Sequence, residues 1–384
     1  MVEQVEFAEE AARRGDKILI CGASFAGLAT AWWMSELGFE VTVVEVASGL
    51  RKGGTPVDIE GQAIDALTRM GLMEAVRAAA LPPRAIQFKN IDDSTIGEVT
   101  NQPASGDKFE IHRDDLLDIL FAALKGRGKL AFGRTVTQLT NGPDDVAVTF
   151  NDGSRKHYAL VLGCDGNRSL VRRLAFDEGH DFSHFLGCYG FLMVVPDIGL
   201  LPADTTQIYG VPGRTVFLNG YADRTDIGLA FRSESEIAYD YRDKAQQRVI
   251  IHEQFDDLGW KVPAVLAHLD EVDDFYFDRM NQIRMPCWSA GRVALVGDAG
   301  YCVSPLAGMG GSMAIIGAAR LADAVSRHRN DHVAAFVEYR ACLHVMVEQV
   351  QLRAVEFGLA VMFPADHAQM AERDARIRAG ILDL

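Results

Sequence analysis

Residues 17–45 change their hydrophobic period twice. "KILIC" (17–21) is an unbroken apolar run of strand length, and "GASFAG" interrupts it with two glycines. "LATAWWMSELG" then carries apolar residues at helical spacing and closes at Gly38, after which "FEVTVVE" alternates as a strand and ends on Glu45. Two more apolar runs of strand length occur far downstream, in "LVLGCDGNRSLVRR" (160–173) and "GRVALVGDAG" (291–300), each stopping at a glycine and an aspartate. Between them, residues 181–280 alternate strand-like runs ("CYGFLMVV", "RTVFLNGY", "DIGLAF") with turn clusters such as "VPGRT" and "YADRTD". "HVAAFVEYRACLHVMVEQVQLRAVEFGLAVMF" (332–363) is one long helical pattern without a catalytic signature.

Strand, glycine turn, helix, strand and terminal acid form the βαβ unit that binds the adenosine half of a dinucleotide. Gly22 permits the tight turn and Gly27 lets helix and strand approach closely. The helix start at Phe25 and Ala26 offers free N–H groups to a pyrophosphate. Glu45 falls where a carboxylate reaches both ribose hydroxyls, and Ser24 stands at the middle position of the fingerprint, where glycine is usual. A nicotinamide dehydrogenase would continue with regular βα units. Here the chain enters "RKGGTPVDIEGQAIDALTRMGL" (51–72) instead, a loop followed by a helix carrying Ile64, Leu67 and Met70.

Composition narrows the partners. The chain has 384 residues, 48% of them hydrophobic, and a formal charge of −15, which argues against nucleic acid and anionic membranes because both reward clustered Lys and Arg. No stretch approaches the roughly 20 apolar residues of a membrane span, and the N-terminus lacks a signal-peptide core, so a cytoplasmic protein is expected. Six cysteines without a CxxC pair suggest buried thiols, and no HExxH or similar histidine pattern suggests a metal site.

With these three motifs in this order, the chain resembles the class A flavoprotein monooxygenases, the para-hydroxybenzoate hydroxylase-like group, and especially their compact tetracycline-inactivating and polyketide-tailoring members. The resemblance covers nearly the whole length. It implies an α/β protein: a Rossmann-like FAD-binding domain with a central parallel sheet, an inserted antiparallel-sheet substrate domain, and a long C-terminal helix. The corresponding division is 1–80, 104–180 and 281–330 for FAD, 81–103 and 181–280 for substrate, and 331–384 for the bracing helix. It also implies residue roles. Gly22, Ser24, Phe25, Ala26, Gly27 and Glu45 would hold the adenosine and pyrophosphate. Asp165, Gly166 and Arg168 would support both FAD and the transient nicotinamide, and Gly297 and Asp298 the ribityl chain and pyrophosphate. Within "FEIHRDDLLDIL" (109–120), Arg113 is assigned to the phosphate or ribityl side, and Arg51, Gly54 and Asp58 become neighbours of the flavin.

"GDAGYCVSPLAGMGGSMAIIGA" (297–318) then acquires a reason. Past Pro305, the backbone through Gly308, Gly310, Gly311 and Ser312 would pass close to a flat isoalloxazine ring and start a helix aimed at its pyrimidine edge, where reduction places negative charge. The implied activity is hydroxylation or epoxidation of an aromatic or polyketide-like small molecule by O2, with tightly bound FAD reduced by transient NADPH or NADH and oxygen transferred from a flavin C4a-hydroperoxide. A monomer or dimer without nucleic acid, membrane or metal partners is expected. A cyclase or dehydrogenase on the same fold, and a non-catalytic flavin or ligand binder, remain alternatives. Phe191, Met193, Phe217 and Phe231 either line the substrate pocket or are core. Two departures stand out: Ala299-Gly300-Tyr301 replaces the family's Ala-Ala-His, and Val46 replaces the arginine common after the acid.

Overall fold

The computed structural model describes residues 4–6, 16–100, 108–176 and 180–381; the parts of the expected division that fall elsewhere lie outside the described residues. Two seven-stranded sheets organise the chain. In the first, the apolar runs recognised above become parallel neighbours: Glu40–Val44, Lys17–Cys21, Leu160–Gly163 and Val293–Leu295 pair in that order, with Lys129–Ala131 outside Glu40–Val44. Antiparallel edge strands, Gln4–Glu6 and Ser289–Ala290, close the two sides. Parallel strands buried on both faces read as continuous apolar runs, which is why "KILIC" and "LVLG" do not alternate.

Helix Phe25–Glu36 is buried over ten consecutive residues, Phe25 to Met34. It lies between the first sheet and helix Gly310–Arg327, itself buried along most of its length. The start of Phe25–Glu36 is pressed against the turn before it: a Cβ at Gly27 would stand 1.8 Å from the Gly22 carbonyl oxygen.

The second sheet takes its strands from residues 85–100 and 183–283, in the order Tyr276–Ile283, Ser183–Pro196, Arg224–Arg232, Arg214–Gly220, Thr205–Val211, Ala85–Lys89, Thr95–Thr100. It is antiparallel except where Ala85–Lys89 runs parallel to Thr205–Val211, a pairing that no local hairpin could have announced. One face packs on helices Lys244–Phe255 and Val262–Glu271, and this core holds Phe191, Met193 and Phe231. Those three are therefore core and not pocket lining. Phe217 points the other way, over Gly228, whose Cβ would lie 1.9 Å from the ring.

The C-terminal pattern resolves into more than one helix. His332–Arg353 continues through a wider turn, Ala354–Gly358, into Leu359–Met362. Pro364 then stops it, and Asp366, whose carboxylate accepts from the Gln369 N–H, starts a separate helix, His367–Arg378, against strand Thr95–Thr100. Among the described residues no helix is long and apolar enough to cross a membrane.

Candidate functional site

The first motif is assembled as its spacing demands. Gly22 has φ +106°, and a Cβ on it would meet the Cys164 carbonyl oxygen at 2.4 Å, so the turn both needs the left-handed region and passes against the second motif. Ser24 has an extended backbone (φ −105°, ψ −168°), a conformation any residue adopts, which explains why a serine replaces the middle glycine. No side chain caps helix Phe25–Glu36 and no acid sits in its first turn, so its N-terminal N–H groups and positive dipole end have no side-chain acceptor. Glu45 is buried beside this turn: one carboxylate oxygen accepts from Ala23 N–H and the other from Ala47 N–H, both at 2.9 Å. Each oxygen keeps a second lone pair. Val46, beyond it, is exposed.

Arg113 closes the opposite side. From the first turn of helix Arg113–Ala122 its guanidinium donates to the carbonyls of Arg51 and Gly53 (3.3 Å to the latter) and approaches Ser24 Oγ at 3.5 Å, with the Phe25 ring centroid 5.4 Å away. Burial pulls it down from its usual value. Gly54 (φ +109°) would place a Cβ 3.1 Å from the Arg113 chain, and the Gly53 N–H donates to Asp114 at 2.8 Å. Arg51 itself reaches to 3.9 Å from Glu45. One arginine thus ties loop 51–54 to the glycine turn.

The third motif meets the first at Gly297 (φ +68°), where a Cβ would lie 3.0 Å from the Ala26 Cβ and 3.7 Å from the Ala314 Cβ. Asp298 follows, its side chain exposed although Ala299, Gly300 and Tyr301 are buried; it looks into a cleft enclosed by protein, and that enclosure raises its carboxyl above the ordinary range. Ser304 is one of four non-glycine residues with positive φ (78°) among those described, and its Oγ accepts from the Leu306 N–H. The short turn Pro305–Ala307 ends at Gly308, left-handed at φ +69°, facing Asp58 Oδ2 at 3.9 Å from its notional Cβ. Helix Gly310–Arg327 again has no side-chain cap and no first-turn acid. Ser312 staples it to strand Val57–Glu60, donating to the Asp58 carbonyl at 2.8 Å and accepting from the Glu60 N–H at 3.1 Å. Asp58 Oδ2 pairs with Lys108 at 3.1 Å, while Asp58 Oδ1 is buried and without a hydrogen bond.

Not every bare position is forced by the protein. A Cβ on Gly311 makes ordinary contacts with Val57 and Phe25, and one on Gly310 meets no protein atom within 4 Å. Only Gly308 is required by its own conformation.

The second motif is held by contacts within the protein. Asp165 is turned into its own loop, accepting from Ser169 Oγ and from the N–H groups of Leu170 (2.7 Å) and Val171 (3.0 Å), and Gly166 (φ +79°) makes the turn. Burial pushes the Asp165 carboxyl up. Arg168 lies at the seam with the second sheet, bidentate on Asp278 (2.6 and 3.2 Å) and 4.7 Å from the Tyr241 ring. Arg172, not singled out from sequence, is the residue that reaches the third motif: buried, it donates to the Ala299 carbonyl at 2.8 Å and to the Asn167 carbonyl at 2.6 Å. Its signal was available, a charge on the buried side of a short helix. Tyr301, in place of the family's histidine, turns away from the cleft. It packs on Trp288 at 4.5 Å and shares a hydrogen bond with Tyr339 Oη at 3.0 Å, and Gly317 makes room for it.

The residues that come together therefore run as one chain of contacts: Glu45, the Gly22–Gly27 turn, Arg113 with loop 51–54, Phe25 and Ala26, Gly297 and Asp298, then Gly308 to Ser312 with Asp58. Two helix N-termini without side-chain caps, an enclosed but exposed carboxylate and an orphaned buried carboxylate oxygen fit an elongated, hydroxyl-bearing, anionic ligand such as FAD.

Comparison with known proteins agrees with this geometry. A family model described as an FAD binding domain matches residues 16–334. A flavin-dependent monooxygenase from an unknown prokaryotic organism is 35% identical over 376 residues, covering 95% of this chain and 96% of its own. An uncharacterised protein of Mycobacterium tuberculosis is 36% identical over 343 residues, covering 87% and 91%. Among solved structures, the tetracycline destructase Tet(51) superposes with a TM-score of 0.84 at 31% identity, over 96% of this chain and 97% of that one.

Proposed function

The chain belongs to the FAD-binding-domain family and is a flavin-dependent monooxygenase, and from that premise we propose that it hydroxylates an electron-rich aromatic or polyketide-like small molecule in the space between its two sheets, with NADPH or NADH as transient reductant. The observation that carries the placement is the meeting of the first and third motifs at Gly297, which leaves Asp298 exposed in an otherwise buried turn. Bound FAD would supply the redox chemistry: hydride from the nicotinamide, a proton from solvent and one O2 give one oxygen atom to the substrate and the other to water.

The chain's own residues bind, orient and exclude water. Glu45 would accept from the ribose hydroxyls with the lone pairs that Ala23 and Ala47 leave over. The N–H groups at the start of Phe25–Glu36 would hold the pyrophosphate. Asp298 would accept from the ribityl chain, and the N–H groups at Gly310–Ser312 would stabilise negative charge appearing on the flavin on reduction. Arg113 supports the second wall by holding loop 51–54. On the substrate side, the sheet face bearing Gly190, Gly228 and Phe217 is the roof; Gly190 and Gly228 make room for the Met280 and Phe217 side chains, and Phe217 supplies an aromatic surface. Oxygen transfer needs no covalent nucleophile from the protein. What it needs is a site from which water is excluded.

The test is anaerobic mixing of the FAD-loaded protein with NADPH or NADH, followed by O2, in the presence of a panel of phenols and polyketides that includes tetracycline. Flavin bleaching followed by a product heavier by one oxygen atom is expected with at least one panel member. Failure of both nucleotides to bleach the flavin, or release of one H2O2 per nucleotide with every compound, would overturn the proposal.

A further inference from the structure

Strand Lys108–Ile111 and the residue that follows it carry three cross-connections within five residues. Lys108 holds Asp58, Glu110 holds Arg84, and His112, the residue preceding helix Arg113–Ala122, holds Arg224. Arg84 and Arg224 both belong to the second sheet, one just before strand Ala85–Lys89 and the other at the start of Arg224–Arg232. Tyr221 sits among them: its hydroxyl accepts from Arg84 at 2.6 Å, its ring lies 5.2 Å from the Arg224 guanidinium, and His112 meets it edge-on at 4.8 Å. Behind Arg224 stands Asp226, fully buried, its carboxylate 3.4 Å from Arg224 Nε and without a hydrogen bond of good geometry on either oxygen. This polar cluster, at the junction of the two sheets, plays no part in the reading above, and burying it is costly unless it does something.

The geometry gives it a task. Arg224 Nη2 donates to His112 Nδ1 at 2.6 Å, and a guanidinium can only donate, so Nδ1 must be the unprotonated nitrogen. His112 directly precedes Arg113, the residue that gathers loop 51–54, Ser24 and Phe25. We propose that the His112–Arg224 hydrogen bond is a positioning contact through which the second sheet sets Arg113 and the flavin-side loop, and that it holds only while His112 is neutral. Here the inference rests on the placement of Arg113 beside the cofactor.

The surroundings agree. Burial and the Arg224 guanidinium hold His112 below its usual value, with Arg84 acting in the same sense and Asp115 of its own helix and Asp223 of the preceding turn opposing; Tyr221 packs on the ring without a charge. The sign follows. A histidine whose folded value is depressed favours the folded, clasped form above its unfolded value, and the contact is lost as pH falls through the folded one. Below that point two cations face each other across a half-buried seam, with the Asp226 carboxylate 3.4 Å from Arg224 Nε.

The experiment measures FAD release from the full-length holoprotein by the rise in flavin fluorescence on dilution, at about pH 7.5 and about pH 5, for the wild type and for His112→Ala, His112→Asn and Arg113→Ala. Asparagine can place an acceptor near the position of Nδ1 and does not titrate. Expected are release about tenfold faster for His112→Ala at the higher pH, a loss equivalent to one charge-assisted hydrogen bond, and a His112→Asn protein that releases FAD slowly at both pH values while the wild type speeds up at the lower one. Wild-type release from His112→Ala at the higher pH, or an unaltered wild-type pH slope in His112→Asn, overturns the inference. Arg113→Ala separates the two levels. If it does not speed release, the cofactor placement itself is wrong; if it does and His112→Ala does not, only the positioning role falls.

Discussion

Gly310 offers a direct test of where the flavin lies, because the protein alone does not need a glycine there. It is the first residue of helix Gly310–Arg327, its φ is not positive, and an added Cβ meets no protein atom within 4 Å. In the flavin-free protein, Gly310→Ala should therefore be harmless or slightly stabilising, by about 0.4–1 kcal/mol, through the reduced freedom of the unfolded chain. In a chain of this length that raises Tm by only roughly 0.5–1 °C. With FAD the sign reverses. If the ring edge passes along this helix start, the methyl group must displace it, and overpacking a fitted contact costs about 1–3 kcal/mol, or roughly 5- to 150-fold in Kd. Thermal melting of the apoprotein and fluorescence titration with FAD measure the two effects separately. Gly27→Ala serves as the contrast, since its Cβ would stand 1.8 Å from the Gly22 oxygen, and both stability and FAD binding should then be lost. A Gly310→Ala protein that is at least as stable as wild type and binds FAD within a factor of two of it would refute the placement of the flavin against this helix.

Two further predictions follow from the site and the second domain. Glu45→Ala should destabilise even the apoprotein, because the buried Ala23 N–H loses its acceptor, at a cost of about 1.5–3 kcal/mol for a hydrogen bond to a charged group; denaturant unfolding of the apoprotein checks this, and an unchanged midpoint would show that the carboxylate acts on the ligand alone. His252 bridges Asp256 and Asp270 between helices Lys244–Phe255 and Val262–Glu271, and its hydrogen bond to Asp256, with that to Asp270, raises its pKa. Its contribution is therefore present below the unfolded value and disappears as pH rises through the folded one. His252→Ala should lower Tm at about pH 6 and leave it unchanged at about pH 9, and equal losses at both would contradict the assignment.

What was legible in the sequence depended on distance along the chain. The Gly22–Gly27 turn and Glu45 lie within one supersecondary unit, where backbone geometry dictates residue type, and both could be read. The serine in the fingerprint also makes sense locally, because its backbone is extended and asks for no glycine. What faces what across the fold is not written in local pattern. Phe191 and Phe217 sit in strands of similar pattern on either side of Arg224–Arg232, yet alternate register turns one into the core under the two helices and the other to the opposite face. Arg168 and Arg172 stand four residues apart in one motif, and only the fold shows that the first is held by Asp278 and the second by the Ala299 carbonyl.

The junction cluster shows why such information is absent from local pattern. Arg84, Glu110, His112, Tyr221, Arg224 and Asp226 come from four strands or their flanks, and three of the contacts among them join residues separated by more than 100 positions or by a change of sheet. Each alone reads as a solvated polar residue near a turn. Their meaning arises because a parallel pairing, Ala85–Lys89 with Thr205–Val211, carries Arg84 to the same end of the second sheet as Tyr221, and because strand Lys108–Ile111 pairs with Val57–Glu60 so that Glu110 stands opposite Asp58. Register therefore does what no motif could: it lines up Asp58, which faces the glycine strap, with the ion pairs that fasten the roof. If the flavin lies where we propose, the roof and the cofactor wall meet along one row of side chains, so that a change in the docking of the second sheet would be felt first at the residues that hold loop 51–54.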